Sequence, residues 1–139
     1  MNITQTIEAD LPGKAEMLIL LPMKKILIVD DDEDLLINMK SFFKRNGYHV
    51  AVTKSCDEGL YIFYSFQPDL VLLDINVGDQ DGREICKKIK SHAEYQHIPV
   101  ILISANHDAL KFYLDYGATD MVEKPFEAMR LLGLIQTYI

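Results

Sequence analysis

The sequence predicts an α/β fold: a doubly wound sheet of five parallel strands in the order 2-1-3-4-5, with helices on both faces. Three observations carry this expectation. After residue 23, apolar strand-like runs alternate five times with stretches of helical period, separated by short turns and without linker or repeat. The run at 70–73, Leu-Val-Leu-Leu, is unbroken, as suits a central parallel strand covered on both faces. The runs also end on polar side chains. Residues 25–29 lead into Asp30, Asp31 and Asp32, 70–73 into Asp74, 100–103 into Ser104, and 121–123 into Lys124 and Pro125. Right-handed crossovers between parallel strands bring these ends to one edge of the sheet. Sites in such folds form at the carboxyl ends of strands where the strand order reverses. Strands one and three flank that point, and they carry the acidic groups.

Each element has its own signature. Strand one is followed by a helix at about 33–45, where Leu35, Leu36, Met39, Phe42 and Phe43 form an apolar stripe at helical period. Asp32 reads as its N-cap, and Asn46-Gly47 ends it. Residues 49–53 read as strand two. Ser55 with Glu58 three residues on is a capping-box pattern for a helix reaching about Phe66. Pro68 closes the turn before strand three. Asp81 with Glu84 opens helix three, expected at about 83–92. Pro99 precedes strand four, and helix four is expected at about 108–116, ended by Gly117. The short strand five precedes helix five, which starts near Glu127 and continues to Ile139. Helix five carries two apolar stripes, Met129-Leu132-Ile135-Ile139 and Leu131-Leu134-Tyr138. One is expected against the sheet; the other, with Tyr113 and Tyr116 of helix four, is a candidate partner surface.

The chain has 139 residues, enough for one domain with a real core. We assign the domain to residues 23–139. Residues 1–22 show no clear period, and read either as a non-native leader or as a native arm whose residues 17–21 pack on the domain or a neighbour. A net charge of -7 argues against a general nucleic-acid binder, whose affinity comes from neutralising phosphates. No apolar run is long enough to span a bilayer, and the chain is expected to be cytoplasmic. Cys56 and Cys86 lack metal-ligand spacing and read as reduced structural residues. His49, His92 and His97 are scattered without forming a metal triad, and His107 reads as a solvated loop residue.

Six separated motifs stand in order at the expected strand ends and turns. They are Ile-Leu-Ile-Val-Asp-Asp-Asp at 26–32, Leu-Leu-Asp-Ile-Asn at 72–76, Asp-Gly at 81–82, Ile-Ser-Ala at 103–105, Gly-Ala at 117–118 and Lys-Pro-Phe at 124–126. On these the chain resembles a response-regulator receiver domain over residues 24–139, similar to single-domain chemotaxis regulators, with the flavodoxin-like (βα)5 fold. The resemblance implies a phosphoacceptor of two-component signalling. Asp74 would be the nucleophile that forms an acyl phosphate. Asp30, Asp31, Asp74 and the main-chain carbonyl of Asn76 would supply the hard oxygen ligands of Mg²⁺. Lys124, the Ser104 hydroxyl and the Ala105 amide would hold the phosphoryl oxygens, with Ser104 and Met121 at the switch positions. The Lys124-Pro125 bond is expected to be cis.

The implied partners are a histidine kinase or phosphotransfer protein, and a downstream protein or second copy at the helix 4–strand 5–helix 5 face. Contact with nucleic acid or membrane is not expected, nor is turnover of an external substrate. Three departures stand out. Gly78 replaces a usual proline, which predicts a more mobile loop. Met121 replaces a usual aromatic, and Asn76 and Asn106 occupy positions that tune acyl-phosphate hydrolysis. The alternative reading is a phosphate-independent interaction module of the same fold. A small phosphatase would need an acid two residues beyond the nucleophile, where Asn76 stands.

Overall fold

The structure, a computed structural model, describes residues 22–139. Apart from Pro22, the arm expected at 1–22 lies outside the described residues. Five strands build the main sheet: β1 (Lys25–Val29), β2 (His49–Thr53), β3 (Leu70–Asp74), β4 (Val100–Ser104) and β5 (Asp120–Glu123). They are parallel and run in the order β2-β1-β3-β4-β5, as expected from the sequence. The helices are α1 (Glu33–Arg45), α2 (Cys56–Phe66), α3 (Gly82–Lys90), α4 (His107–Leu110) and α5 (Ala128–Tyr138).

Alternation along the strands divides the core into two layers. Leu27, Val29, Val71, Leu73, Val100 and Leu102 face one side and pack with Phe63, Ile85, Cys86 and Ile89 of α2 and α3. Ile26, Ile28, Leu70, Leu72, Ile101 and Ile103 face the other, against Leu36, Met39 and Phe43 of α1 and Leu131, Leu132 and Ile135 of α5. Register then sets the functional edge. Val29 pairs with Leu73, Asp74 with Ile103, and Ser104 with Glu123, so the strand ends stand level. The Asp30 N–H continues the ladder onto the Thr53 carbonyl at 3.1 Å.

The helix caps follow the sequence closely. Asp32 accepts from the Leu35 N–H at 3.1 Å and opens α1. Ser55 accepts from the Glu58 N–H at 3.3 Å. The Ser55 N–H itself goes to Thr53 Oγ1, so only half of the expected capping box forms. Asp81 caps α3 through the Arg83 N–H at 3.0 Å. Among the described residues no helix is long and apolar enough to cross a membrane.

Four expectations need correction. Helix three stops at Lys90, and a separate 3₁₀ turn, Ala93–Tyr95, takes up the following chain. Helix four breaks into the four-residue α4 and a 3₁₀ turn at Tyr113–Tyr116. Only Leu110 of that stretch is fully buried, while Phe112 and Leu114 are exposed, so little apolar burial supports a longer helix. The two stripes of α5 do not separate into a buried and an exposed face. Its buried residues, Leu131, Leu132 and Ile135, draw on both, and Met129 is left exposed. Finally, Tyr113 and Tyr116 are half-buried and not fully open. They pack against the α2–α3 core layer, and the Tyr116 ring lies 5.0 Å from both the Arg83 guanidinium and the Lys87 ammonium.

Candidate functional site

The strand-end side chains converge. Carboxylate oxygens of Asp30, Asp31 and Asp74 lie within 4.8 Å of one another. Asp30 and Asp74 are buried despite their charge, whereas Asp31 is exposed. Lys124, at the end of β5, donates from Nζ to Asp30 Oδ2 and to Asp74 Oδ2, at 2.7 Å each. One cation thus bridges two buried carboxylates, which would otherwise repel each other at close range.

Backbone amides hold the remaining oxygens. Asp30 Oδ1 accepts from the Asp32 N–H at 2.9 Å, and Asp74 Oδ1 from the Asn76 N–H at 2.9 Å. Burial pushes the Asp30 carboxyl above its usual range, more than the Lys124 bond and the Asp32 amide bring it down; the Asp74 charge adds to the rise. Burial works to lower the Lys124 ammonium, but the hydrogen bonds it donates to Asp30 and Asp74 outweigh this, and the net shift is upward. Lys124 therefore stays protonated in the cluster.

The loops supply the rest. Ser104 is fully buried, and its Oγ accepts from the Asn106 N–H at 3.0 Å. Its carbonyl accepts from the Lys124 N–H at 2.9 Å, tying the ends of β4 and β5 together. Ala105 is exposed beside them and, with Leu35, Met39, Lys124, Pro125 and Phe126, lines a cleft of about 500 Å³. The Lys124-Pro125 bond is cis. Asn76 is exposed, two residues beyond Asp74. Met121 is half-buried against the α2–α3 layer, farther down β5. Asp30, Asp31, Asp74 and Lys124 thus form one cluster, Ser104 and Ala105 stand at its rim, and Met121 lies apart.

Two residues carry more of this geometry than their sequence signals suggest. A Cβ on Gly82 would lie 1.9 Å from the Asp74 carbonyl oxygen, so only glycine lets α3 start against the end of β3. Gly78 was expected to loosen its loop. It forms the tip of a two-stranded ribbon, Asn76–Val77 with Gln80–Asp81, and its N–H donates to Asp31 Oδ2 at 3.0 Å. Glycine before one residue in a two-residue turn was the legible signal for that hairpin. Of the remaining candidates, His107 is exposed and lies 3.3 Å from Glu123. Both cysteines are buried and free, with the Cys86 thiol pushed up to about 11 by burial.

A profile of the response regulator receiver domain family matches residues 26–136. The chain belongs to that family. This receiver is 34% identical over 119 residues to the transcriptional regulatory protein YxdJ of Bacillus subtilis. The match covers 84% of the chain and 51% of the relative, so the chain spans about half the length of that protein. A CheY-like response regulator receiver domain protein from Methanospirillum hungatei superposes with a TM-score of 0.76 at 30% identity, over 84% of this receiver and 93% of that chain. The chemotaxis protein CheY4 of Vibrio cholerae gives 0.78 at 23% identity, over 85% and 100% of the respective chains, a likeness of fold alone. The acidic trio at the receiver's strand edge is a donor set that could hold a metal ion.

Proposed function

We propose that this receiver accepts a phosphoryl group on Asp74, with Mg²⁺ bound by Asp30, Asp31, Asp74 and the main-chain carbonyl of Asn76. The observation that carries this reading is the Lys124 ammonium on Asp30 and Asp74, 2.7 Å from each, beside the third carboxylate. Three carboxylates packed this closely suit a small hard cation with oxygen ligands. When bound, Mg²⁺ would offset their repulsion and the negative charge of the incoming phosphoryl group.

The protein's own groups divide the work. An Asp74 carboxylate oxygen attacks phosphorus, forming an O–P bond as the donor's N–P bond breaks; the leaving imidazole keeps the electron pair and takes up a proton. Lys124 moves from the carboxylates to a phosphoryl oxygen as a mobile point charge. Ser104 donates its hydroxyl to a second oxygen, and the Ala105 amide to a third. Water later cleaves the acyl phosphate and restores Asp74. The donor is a histidine kinase or phosphotransfer protein in the cytoplasm, and the chain turns over no external substrate.

The readout follows from the same bonds. Pulling Ser104 and Lys124 toward phosphate shifts the ends of β4 and β5, joined through the Lys124 N–H on the Ser104 carbonyl. Met121 and the groove between β5 and α5, lined by Val122, Phe126, Arg130 and Leu134, lie downstream of that shift. This face would bind a downstream protein or a second copy. Amide NMR spectra before and after phosphoramidate with Mg²⁺ test the switch. Changes at Ser104 and Lys124 should extend to Met121 and α5; changes confined to the strand edge would rule out a coupled output face.

A further inference from the structure

Asp31 differs from the other two carboxylates in how it is held. Asp30 and Asp74 each accept an amide two residues ahead in their own loops, and they share Lys124. Among the described residues, the hydrogen-bond partner of Asp31 is the Gly78 N–H, 47 positions away in sequence. That amide comes from the tip of the ribbon after β3, where Gly78 has φ +61. A Cβ at Gly78 would meet nothing within 4 Å, so the glycine serves backbone conformation and not space. The ribbon is fastened at its base. Gln80 Oε1 accepts the Cys56 N–H at the head of α2 at 3.1 Å, and Asp81 caps α3. The tip is thus tied to the starts of two helices, which sets where its amide points.

We infer that Gly78 is a positioning residue for the divalent cation: its N–H fixes the exposed Asp31 carboxylate against Asp30 and Asp74, and so strengthens cation binding. Proline, with no N–H and φ locked near about −65°, could not make this bond. Partners that orient a ligating carboxylate typically change metal affinity by about 10- to 100-fold. The inference rests on the reading of the acidic trio as a Mg²⁺ site.

The test is Mg²⁺ titration by calorimetry on the wild type, Gly78→Pro and Gly78→Asn, each also in an Asp31→Ala background. Asn keeps the N–H and tolerates positive φ better than most residues. Gly78→Pro should weaken Mg²⁺ binding about tenfold, Gly78→Asn should stay near wild type, and neither should matter once Asp31 is Ala. An equal loss for both substitutions, or a loss that persists in the Asp31→Ala background, would overturn the positioning role. A folded wild type that binds no Mg²⁺ would instead overturn the metal reading, and the inference with it. A second measurement needs neither Gly78 variant nor cation. The Gly78 amide should exchange with solvent deuterium more slowly in the wild type than in Asp31→Ala, and equal rates would contradict the bond.

Discussion

Asp30 is a buried carboxylate whose charge costs stability. It is 1% exposed, and burial raises its proton affinity above the ordinary 3.8. The folded protein therefore holds this proton more tightly than the unfolded chain does. The sign follows from linkage: between 3.8 and the raised folded value, the Asp30 contribution to stability falls as pH rises. Lys124 follows the same sign in a higher window: its folded pKa lies above 10.5, so its contribution is complete below 10.5 and is lost as pH rises through the folded value. Asp30→Asn removes the Asp30 cost while leaving Asp74 as a partner for Lys124. In Mg²⁺-free buffer, urea unfolding should show the variant gaining on the wild type as pH rises above 3.8, then levelling off. A variant less stable than the wild type throughout that range would contradict this account. The strand-end polar residues were legible because carboxylates closing apolar runs have few structural reasons to cluster. The bond from Gly78 to Asp31 was not legible, because it depends on the shape of a turn 47 positions away.

At the scale of elements, short segments do most to set the site. The start of α3 must pass against the end of β3, and Gly82 permits this, with its N–H on the Ile75 carbonyl at 2.7 Å. Gly82→Ala would drive a Cβ into the Asp74 carbonyl, and the chain would have to shift. We expect a loss of about 1–3 kcal/mol in urea unfolding, the usual cost of overpacking, with perturbed amide signals at Asp74 and Ile75. Unchanged stability and spectra would show that the contact relaxes freely. Caps and strand boundaries were readable because they depend on local hydrogen bonding, as Asp32 and Asp81 illustrate. Helix four was misread for a different reason. The helix was expected at about 108–116 with Gly117 as its stop, but such end signals do not reveal whether a surface exists to receive it. Here Tyr116 is engaged by Arg83 and Lys87, and Leu114 is 68% exposed.

Across the whole molecule, residues distant in sequence converge. Parallel strands with level ends gather four polar side chains that lie as far apart in sequence as Asp30 and Lys124, a separation of 94 positions. Two apolar layers pack on the faces of the sheet beneath them, and the cluster stands at the strand ends and the loop positions that directly follow them. The architecture was readable because a repeated strand–helix alternation admits few topologies. The division of α5 was not, since it depends on how the helix rolls against β4 and α1 as they pack. Whether Asp74 takes a phosphoryl group with the help of Mg²⁺ can be read from intact mass. The protein would be incubated with acetyl phosphate or phosphoramidate and Mg²⁺, beside Asp74→Asn and a sample with EDTA. The wild type should gain one phosphoryl group, and both controls should gain none. A folded wild type that binds Mg²⁺ yet gains no mass, or an Asp74→Asn variant that gains as much, would contradict the phosphoacceptor role of Asp74.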